Sequence, residues 1–293
     1  GYADHQSLLD AEKLDLVVIA SPTQFHAQHA ITAFEYGAHV FCDKPIASTL
    51  AETDRMIDAM KQHNRKLMVY QPHRTGSDII ALQEILNQDL IGPVYMIKRT
   101  NSRYIRRNDW QAFRRHGGGM LNNYGTHYID QSLYIAGSRA KHISCMLRTI
   151  ASLGDADDVV KVLIETENGV ILDIDINQAA AYRLPAWQIL GKYGSLVLDE
   201  KKQTWNARFF RPEELEDIRV QESLAAQDRR YESGETIPWQ ELTFHLSKYQ
   251  PISYYDKCYK YFALDAKPFV PISETREIMR ILHLCREIGY QCA

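Results

Sequence analysis

The chain has 293 residues, 45% hydrophobic and 24% charged, the profile of a folded globular protein long enough for two domains rather than of a fibrous or disordered one. With 34 Lys and Arg against 37 Asp and Glu, the net charge of -3 exerts no global pull toward nucleic acid or an anionic membrane. Five scattered cysteines (Cys42, Cys145, Cys258, Cys285, Cys292) form no C-x-x-C pair, so neither a metal site nor a disulfide framework is expected, and an odd count favours reduced thiols in the cytoplasm. No apolar run has the length of a membrane span, and residues 1–10 have neither the basic start nor the apolar stretch of a secretory signal.

In chain order, residues 16–20 (LVVIA) form a continuous apolar run that reads as a buried strand. The turn Ser21-Pro22-Thr23 follows, then a helical stretch over 24–36 that stops at Gly37. Residues 39–42 make a second strand. Thr49 and Glu52 have capping-box spacing, Thr53, Met56, Ile57 and Met60 repeat at helical spacing, and 67–70 supply a third strand. Strands apolar on both faces, alternating with helices, predict a parallel sheet covered on both sides.

After a helix over 78–89 that ends near Gly92-Pro93, the period shifts to two. Val160, Val162 and Ile164 alternate with Lys161, Leu163 and Glu165; Asn168-Gly169 reads as a type I′ turn, and Val170, Leu172, Ile174 and Ile176 alternate on the return. Further strands over 94–101, 142–148, 187–190, 195–198 and 204–210, interrupted by a helix over 120–136, suit a large antiparallel sheet. Residues 221–234 are polar and read as loop or exposed helix, and 273–288 as a C-terminal helix capped at Ser273. The expected fold is α/β plus α+β. A partial Rossmann-like parallel sheet (1–92) precedes a large open, mostly antiparallel β-sheet domain with helices on one face (93–293).

Lys44, in Asp43-Lys44-Pro45, sits where the second strand ends. In an open parallel sheet the ligand crevice lies outside the carboxyl ends of the strands, and a lysine there donates to a substrate oxygen or, when desolvated, acts as a base. A second cluster runs from Gly117-Gly118-Gly119 to Asp130. The glycines allow a backbone or a flat ring to approach closely. Asn123 and His127, at i,i+4, share one helix face, with Asp130 a turn further on to orient the imidazole. Residues 103–116 interleave five arginines with Trp110 and Phe113. Such a segment can bind single-stranded nucleic acid. Because it leads straight into the glycines of a chain with negative net charge, it reads instead as a pocket loop, Trp110 packing a sugar face and Arg103 or a neighbour receiving a carboxylate or phosphate. His26 and His29, at i,i+3, lack a third clustered ligand and read as helix residues, not a metal site.

Taken together, Ser21 to His26, Gly37-Ala38-His39-Val40-Phe41-Cys42-Asp43-Lys44-Pro45, Tyr70-Gln71-Pro72-His73-Arg74, Ile91-Gly92-Pro93-Val94 and Gly117 to His127-x-x-Asp130 resemble the glucose-fructose oxidoreductase, inositol dehydrogenase and rhizopine-catabolism (Gfo/Idh/MocA) family through essentially the whole chain. The resemblance implies a dinucleotide-binding domain, an open β-sheet domain, and hydride transfer between NAD or NADP and a hydroxyl-bearing carbon of a sugar, polyol or related small molecule. It gives Lys44 the leading catalytic role and makes His127 the hydrogen-bond partner of the reacting oxygen and the proton carrier. Asn123 joins them as a third site residue. Ser21, Thr23, His26, Asp43, Lys44 and His73 fall to the cofactor side, Arg103, Trp110, Asn123 and His127 to the substrate, and Arg74 is within expected reach. A homo-oligomer formed through the C-terminal sheet is expected, with no nucleic-acid or membrane partner.

Two departures qualify this. Asn123 stands where many members carry an aspartate, and an amide cannot exchange protons, so it can only position the substrate. No G-x-G-x-x-G occurs, and the chain opens just before the strand at 16–20, so roughly 60 residues carrying the first strand and the phosphate turn are expected to be missing, as in a fragment. The alternatives are a non-catalytic binding or assembly protein that has lost its cofactor, and an NAD-dependent lyase or glycosidase using transient oxidation.

Overall fold

The computed structural model describes residues 1–218 and 235–291, so the loop or exposed helix expected over 221–234 lies outside the described residues. Residues of the first third build a three-stranded parallel sheet, β1 (Leu16–Ile19), β2 (His39–Cys42) and β3 (Leu67–Val69), in the order β1-β2-β3. Helices α2 (His26–Glu35) and α3 (Leu50–Gln62) connect them. Gly37, at φ 85°, ends the first connection in the left-handed region that glycine enters without steric cost. The capping box at the start of α3 is formed: Glu52 N–H donates to Thr49 Oγ1 and Glu52 Oε2 accepts from Thr49 N–H.

A short helix α1 (His5–Ala11), capped by Asp4, precedes β1; with only Leu9 buried it has no apolar periodicity to announce it. The outer edge of β1 pairs with no described strand, and Val18 is 63% exposed there.

After α4 (Ser77–Leu86), an eight-stranded sheet forms in the order β11-β10-β9-β8-β4-β7-β6-β5. Its strands are β4 (Val94–Ser102), β5 (Ala140–Arg148), β6 (Val159–Thr166), β7 (Ile171–Asn177), β8 (Trp187–Gly191), β9 (Gly194–Asp199), β10 (Thr204–Phe209) and β11 (Gln240–His245). All neighbours run antiparallel except β4 and β7, which pair in parallel at the centre. The alternation along β6 and β7 buries Val160, Val162, Ile164, Leu172, Ile174 and Ile176 on one face. The turn between them differs from the expected type I′. Gly169 alone has positive φ, at 84°, and its N–H donates to Thr166 O, so a type I turn closes with a left-handed glycine in a three-residue loop. The edge strand β11 was not legible because neither of its faces is buried.

The expected helix over 120–136 is in two parts. Leu121–Gly125 is a single π-helical turn, and α5 (Thr126–Ala136) follows. Wide turns of this kind inside helices recur at functional sites. Helix α7 (Ile272–Gln291) starts one residue before Ser273, with Pro271 O accepting from Glu274 and Thr275 N–H, so Ser273 lies inside the helix rather than capping it.

Helix α6 (Tyr254–Leu264) crosses back onto the first sheet, which a division at 92/93 does not anticipate. Tyr254, Cys258 and Val270 form a small core with Phe41 and Met68 on the face opposite α2 and α3; each such buried side chain contributes about 1.5–3 kcal/mol. Lys66 ties the helix down, its Nζ donating to Tyr261 O and Phe262 O at 2.7 and 3.0 Å, the cation meeting the free carbonyls of a helix C-terminus. Arg276 holds α7 against α3 through a two-pronged contact with Asp54. One continuous core, from Ile19 and Val40 through Ile97 and Ile129 to Val162 and Ile281, joins both sheets.

Candidate active site

The site forms where the carboxyl ends of β1 and β2 face the glycine-rich start of the π-helical turn. The turn after β1 is held by two histidines. His26 is buried with Nε2 2.7 Å from Ser21 O and Nδ1 3.0 Å from Pro45 O, and His29 Nδ1 lies 3.1 Å from Ser21 Oγ. Both ring nitrogens of His26 therefore face the protein, and the residue braces the turns after β1 and β2 against each other. The Lys44-Pro45 peptide bond is cis.

Gly118 and Gly119 bring the opposite wall in. Gly119 N–H donates to Gln111 O at 2.9 Å, and a side chain at Gly118 would meet that same oxygen at 2.2 Å, so only glycine lets residues 110–113 close over the helix start. Asp157 receives the ends freed by the turn, its main-chain oxygen accepting from Met120 N–H and its carboxylate from Leu121 N–H, each at 2.8 Å.

These elements enclose a cavity of about 580 Å³. Ser21, Thr23, His26, Asp43, Lys44, Trp110, Gln111, Asn123 and the three glycines all line it. Lys44 reaches across: Nζ donates to Asn123 O at 3.0 Å and to Asn123 Oδ1 at 3.1 Å, leaving one of its three N–H bonds uncommitted. Asn123 Nδ2 in turn donates to Gln111 Oε1 at 2.8 Å, which also accepts from Arg107 Nη1. Burial pushes the Lys44 ammonium below its usual value, and Asp43 offsets part of that.

His127 and His73 do not line this cavity. Their rings meet edge to face with centroids 4.2 Å apart, and both feel the charge of Lys44. His127 is buried, and burial together with the positive fields of His73, Lys44 and Arg99 pushes its imidazole down to about 2, so it is neutral at physiological pH. Burial, Arg99 and Lys44 likewise push His73 down. Arg99 is buried over the rings of Tyr128 and Trp187, at 3.8 and 4.6 Å.

Two expected contacts are corrected. Asp130 does not orient His127: its carboxylate receives Arg74 Nε at 2.7 Å and Nη2 at 2.5 Å, because one further turn of α5 carries it toward the turn after β3. Gln71 takes that place, its Oε1 lying 2.9 Å from His127 Nδ1. Arg74 is accordingly spent on a buried ion pair with Asp130, extended to Glu274 at 2.7 Å, and is not free to reach a ligand. Burial works against the Arg74 charge, and the two carboxylates more than offset it.

Arg103 is not brought to the cavity either. Its Nη2 donates to Tyr124 OH at 2.7 Å, and its guanidinium lies over the Tyr124 ring. Gln71, Arg99 and Gln111 are the residues that reading the sequence passed over. Gln71 alone carried a signal, as the polar residue directly beyond the end of a buried strand.

Chemically, the arrangement places an ammonium donor with a free N–H and a row of amide and hydroxyl groups around a cavity of a size that takes a flat ring with its sugar, with the neutral His127 imidazole buried outside the cavity lining. Among the described residues there is no cluster of three or more His, Cys, Asp or Glu able to hold a metal ion, and no helix long and apolar enough to cross a membrane.

A model described as an oxidoreductase family with an NAD-binding Rossmann fold matches residues 1–71, and one described as the GFO/IDH/MocA C-terminal domain matches residues 79–197. D-glucoside 3-dehydrogenase of Escherichia coli (strain K12) is 34% identical over 140 residues, covering 46% of this chain and 39% of that protein. Inositol 2-dehydrogenase/D-chiro-inositol 3-dehydrogenase of Shouchella clausii (strain KSM-K16) is 28% identical over 204 residues, covering 68% of this chain and 57% of that protein. The crystal structure of an NAD-binding protein from Listeria innocua superposes with a TM-score of 0.83 over 99% of this chain and 84% of that one, a likeness of fold at 23% identity. The chain spans between 39% and 60% of the length of three of the curated relatives it matches.

Proposed function

The chain belongs to the Gfo/Idh/MocA oxidoreductase family, and on that premise we propose that it takes part in NAD(P)-dependent oxidation or reduction at a hydroxyl-bearing carbon of a sugar or polyol. The observation that carries the reading is Lys44, shared between the cavity and the histidine pair with one N–H uncommitted.

The cavity fits the nicotinamide end of the cofactor. It lies at the carboxyl ends of two parallel strands, Trp110 offers an exposed aromatic face, and Thr23, Gln24 and the amide nitrogen of Gln111 supply neutral polar groups for a carboxamide. When bound, nicotinamide supplies the acceptor or donor of hydride. Lys44 holds the substrate oxygen with its remaining N–H and stabilises negative charge developing there. His127, neutral and near enough to feel the charge of Lys44, accepts the hydroxyl proton only once hydride departure has made it strongly acidic, because burial pushes the imidazole down and leaves it a weak base. Asn123, an amide, moves no proton; it fixes the direction of the Lys44 ammonium.

Both relatives named above are dehydrogenases of cyclic polyhydroxy compounds by name, which favours that substrate class here. The reading extends to a homo-oligomer formed through the face of the large sheet that carries no helices. It extends also to the cytoplasm, where the free thiols of Cys42, Cys145, Cys258 and Cys285 stay reduced. Calorimetric titration of NAD+, NADH, NADP+ and NADPH, followed by a screen of D-glucosides and inositols for reduced nicotinamide absorbance, tests it. Binding of one pair with turnover of one sugar or polyol is the expected result; binding of none would overturn it.

A further inference from the structure

We infer that Gln71 is a positioning residue that holds His127 in its Nδ1-protonated tautomer, leaving Nε2 as the hydrogen-bond acceptor of the ring. The inference rests on the proposed role of His127 at the reacting oxygen, but its test reads the imidazole itself.

Gln71 Oε1 lies 2.9 Å from His127 Nδ1, and a carbonyl oxygen only accepts, so Nδ1 carries the hydrogen. A neutral imidazole has one N–H, which leaves Nε2 as a lone pair, and Nε2 has no partner among the described residues. The ring is neutral first because it is buried, and then because what faces it is positive or neutral: His73 after β3, Lys44 after β2 and Arg99 on β4. Asp130, on its own helix, is committed to Arg74.

Gln71 is itself held. Its main-chain N–H donates to Tyr254 OH at 3.1 Å, and that hydroxyl donates to Val69 O at 2.6 Å, so α6 fixes the backbone from which the amide projects. A carboxylate in its place would draw a second proton onto the ring; an amide selects the tautomer without doing so.

The test is 15N NMR of the histidine-labelled chain, with His127 assigned by its loss in His127→Asn. At neutral pH the wild type is expected to show a protonated Nδ1 and an unprotonated Nε2. Gln71→Met is expected to shift the ring toward the Nε2-protonated form, and Gln71→Glu to keep Nδ1 protonated while raising the titration midpoint by about 1 to 3 pH units. A wild-type ring protonated at Nε2, or a tautomer indifferent to Gln71→Met, overturns the inference. Should Gln71→Met not fold, an unchanged midpoint in the near-isosteric Gln71→Glu overturns it equally. Since no activity is read, loss of the dehydrogenase reading and loss of this one are separate results.

Discussion

Lys44 Nζ donates to two oxygens of one residue, the main-chain and side-chain oxygens of Asn123, across the gap between the two sheets. The ammonium is thus held by neutral acceptors while burial disfavours its charge and Asp43 restores part of it. Asn123→Asp would put a second carboxylate against Nζ and raise the Lys44 midpoint by about 1 to 3 pH units. The expected outcome is an upward move of the basic limb of the pH-rate profile; a limb that stays in place would remove Lys44 as the titrating group.

Arg74 and Asp130 form the most deeply buried ion pair of the described residues. Removing one partner strands the other charge away from water, so Arg74→Met should cost about 3–5 kcal/mol of stability. Urea denaturation checks this, and a loss below about 1 kcal/mol would mean that Asp130 finds another donor or takes up a proton.

His127 ties stability to pH. In the folded chain its imidazole is pushed down to about 2, whereas unfolded it titrates near the ordinary value of about 6.5. The unfolded state therefore binds the extra proton first. The contribution of His127 is fully present above the unfolded value and is lost as pH falls below it, by about 1.4 kcal/mol per pH unit. Thermal melts from pH 7 to pH 5 should show that slope in the wild type and a shallower one in His127→Asn. Equal slopes would indicate that the ring is not neutral when folded.

Trp110 and Arg103 belong to the same arginine-rich segment of the sequence, yet only Trp110 lines the cavity, where it is 57% exposed. Trp110→Ala should raise the KM for cofactor or substrate roughly tenfold, about 1.4 kcal/mol of binding, with an unchanged Tm. Arg103→Ala should act instead through Tyr124, lowering Tm with a smaller effect on KM. Steady-state kinetics beside differential scanning calorimetry separates the two, and the reverse pattern would return Arg103 to the pocket.

What could be read from the sequence is what depends on local pattern. The runs at 16–20 and 39–42, the box at Thr49 and Glu52, and the alternation around residues 160–176 each declare a strand or a helix start, because burial of a face and capping are set by neighbours in the chain. The positions of Lys44 and the glycines beside a helix were legible for the same reason. What only the tertiary structure decided is which polar groups meet. Asp130 turned to Arg74, and Gln71, 56 residues away, took the imidazole. Helix α6 crossed from beyond the large sheet to cover Phe41 and Met68. Buried polar groups must be paired, and a buried face must be covered, but the partner is chosen by distance in space, and local spacing carries no record of it.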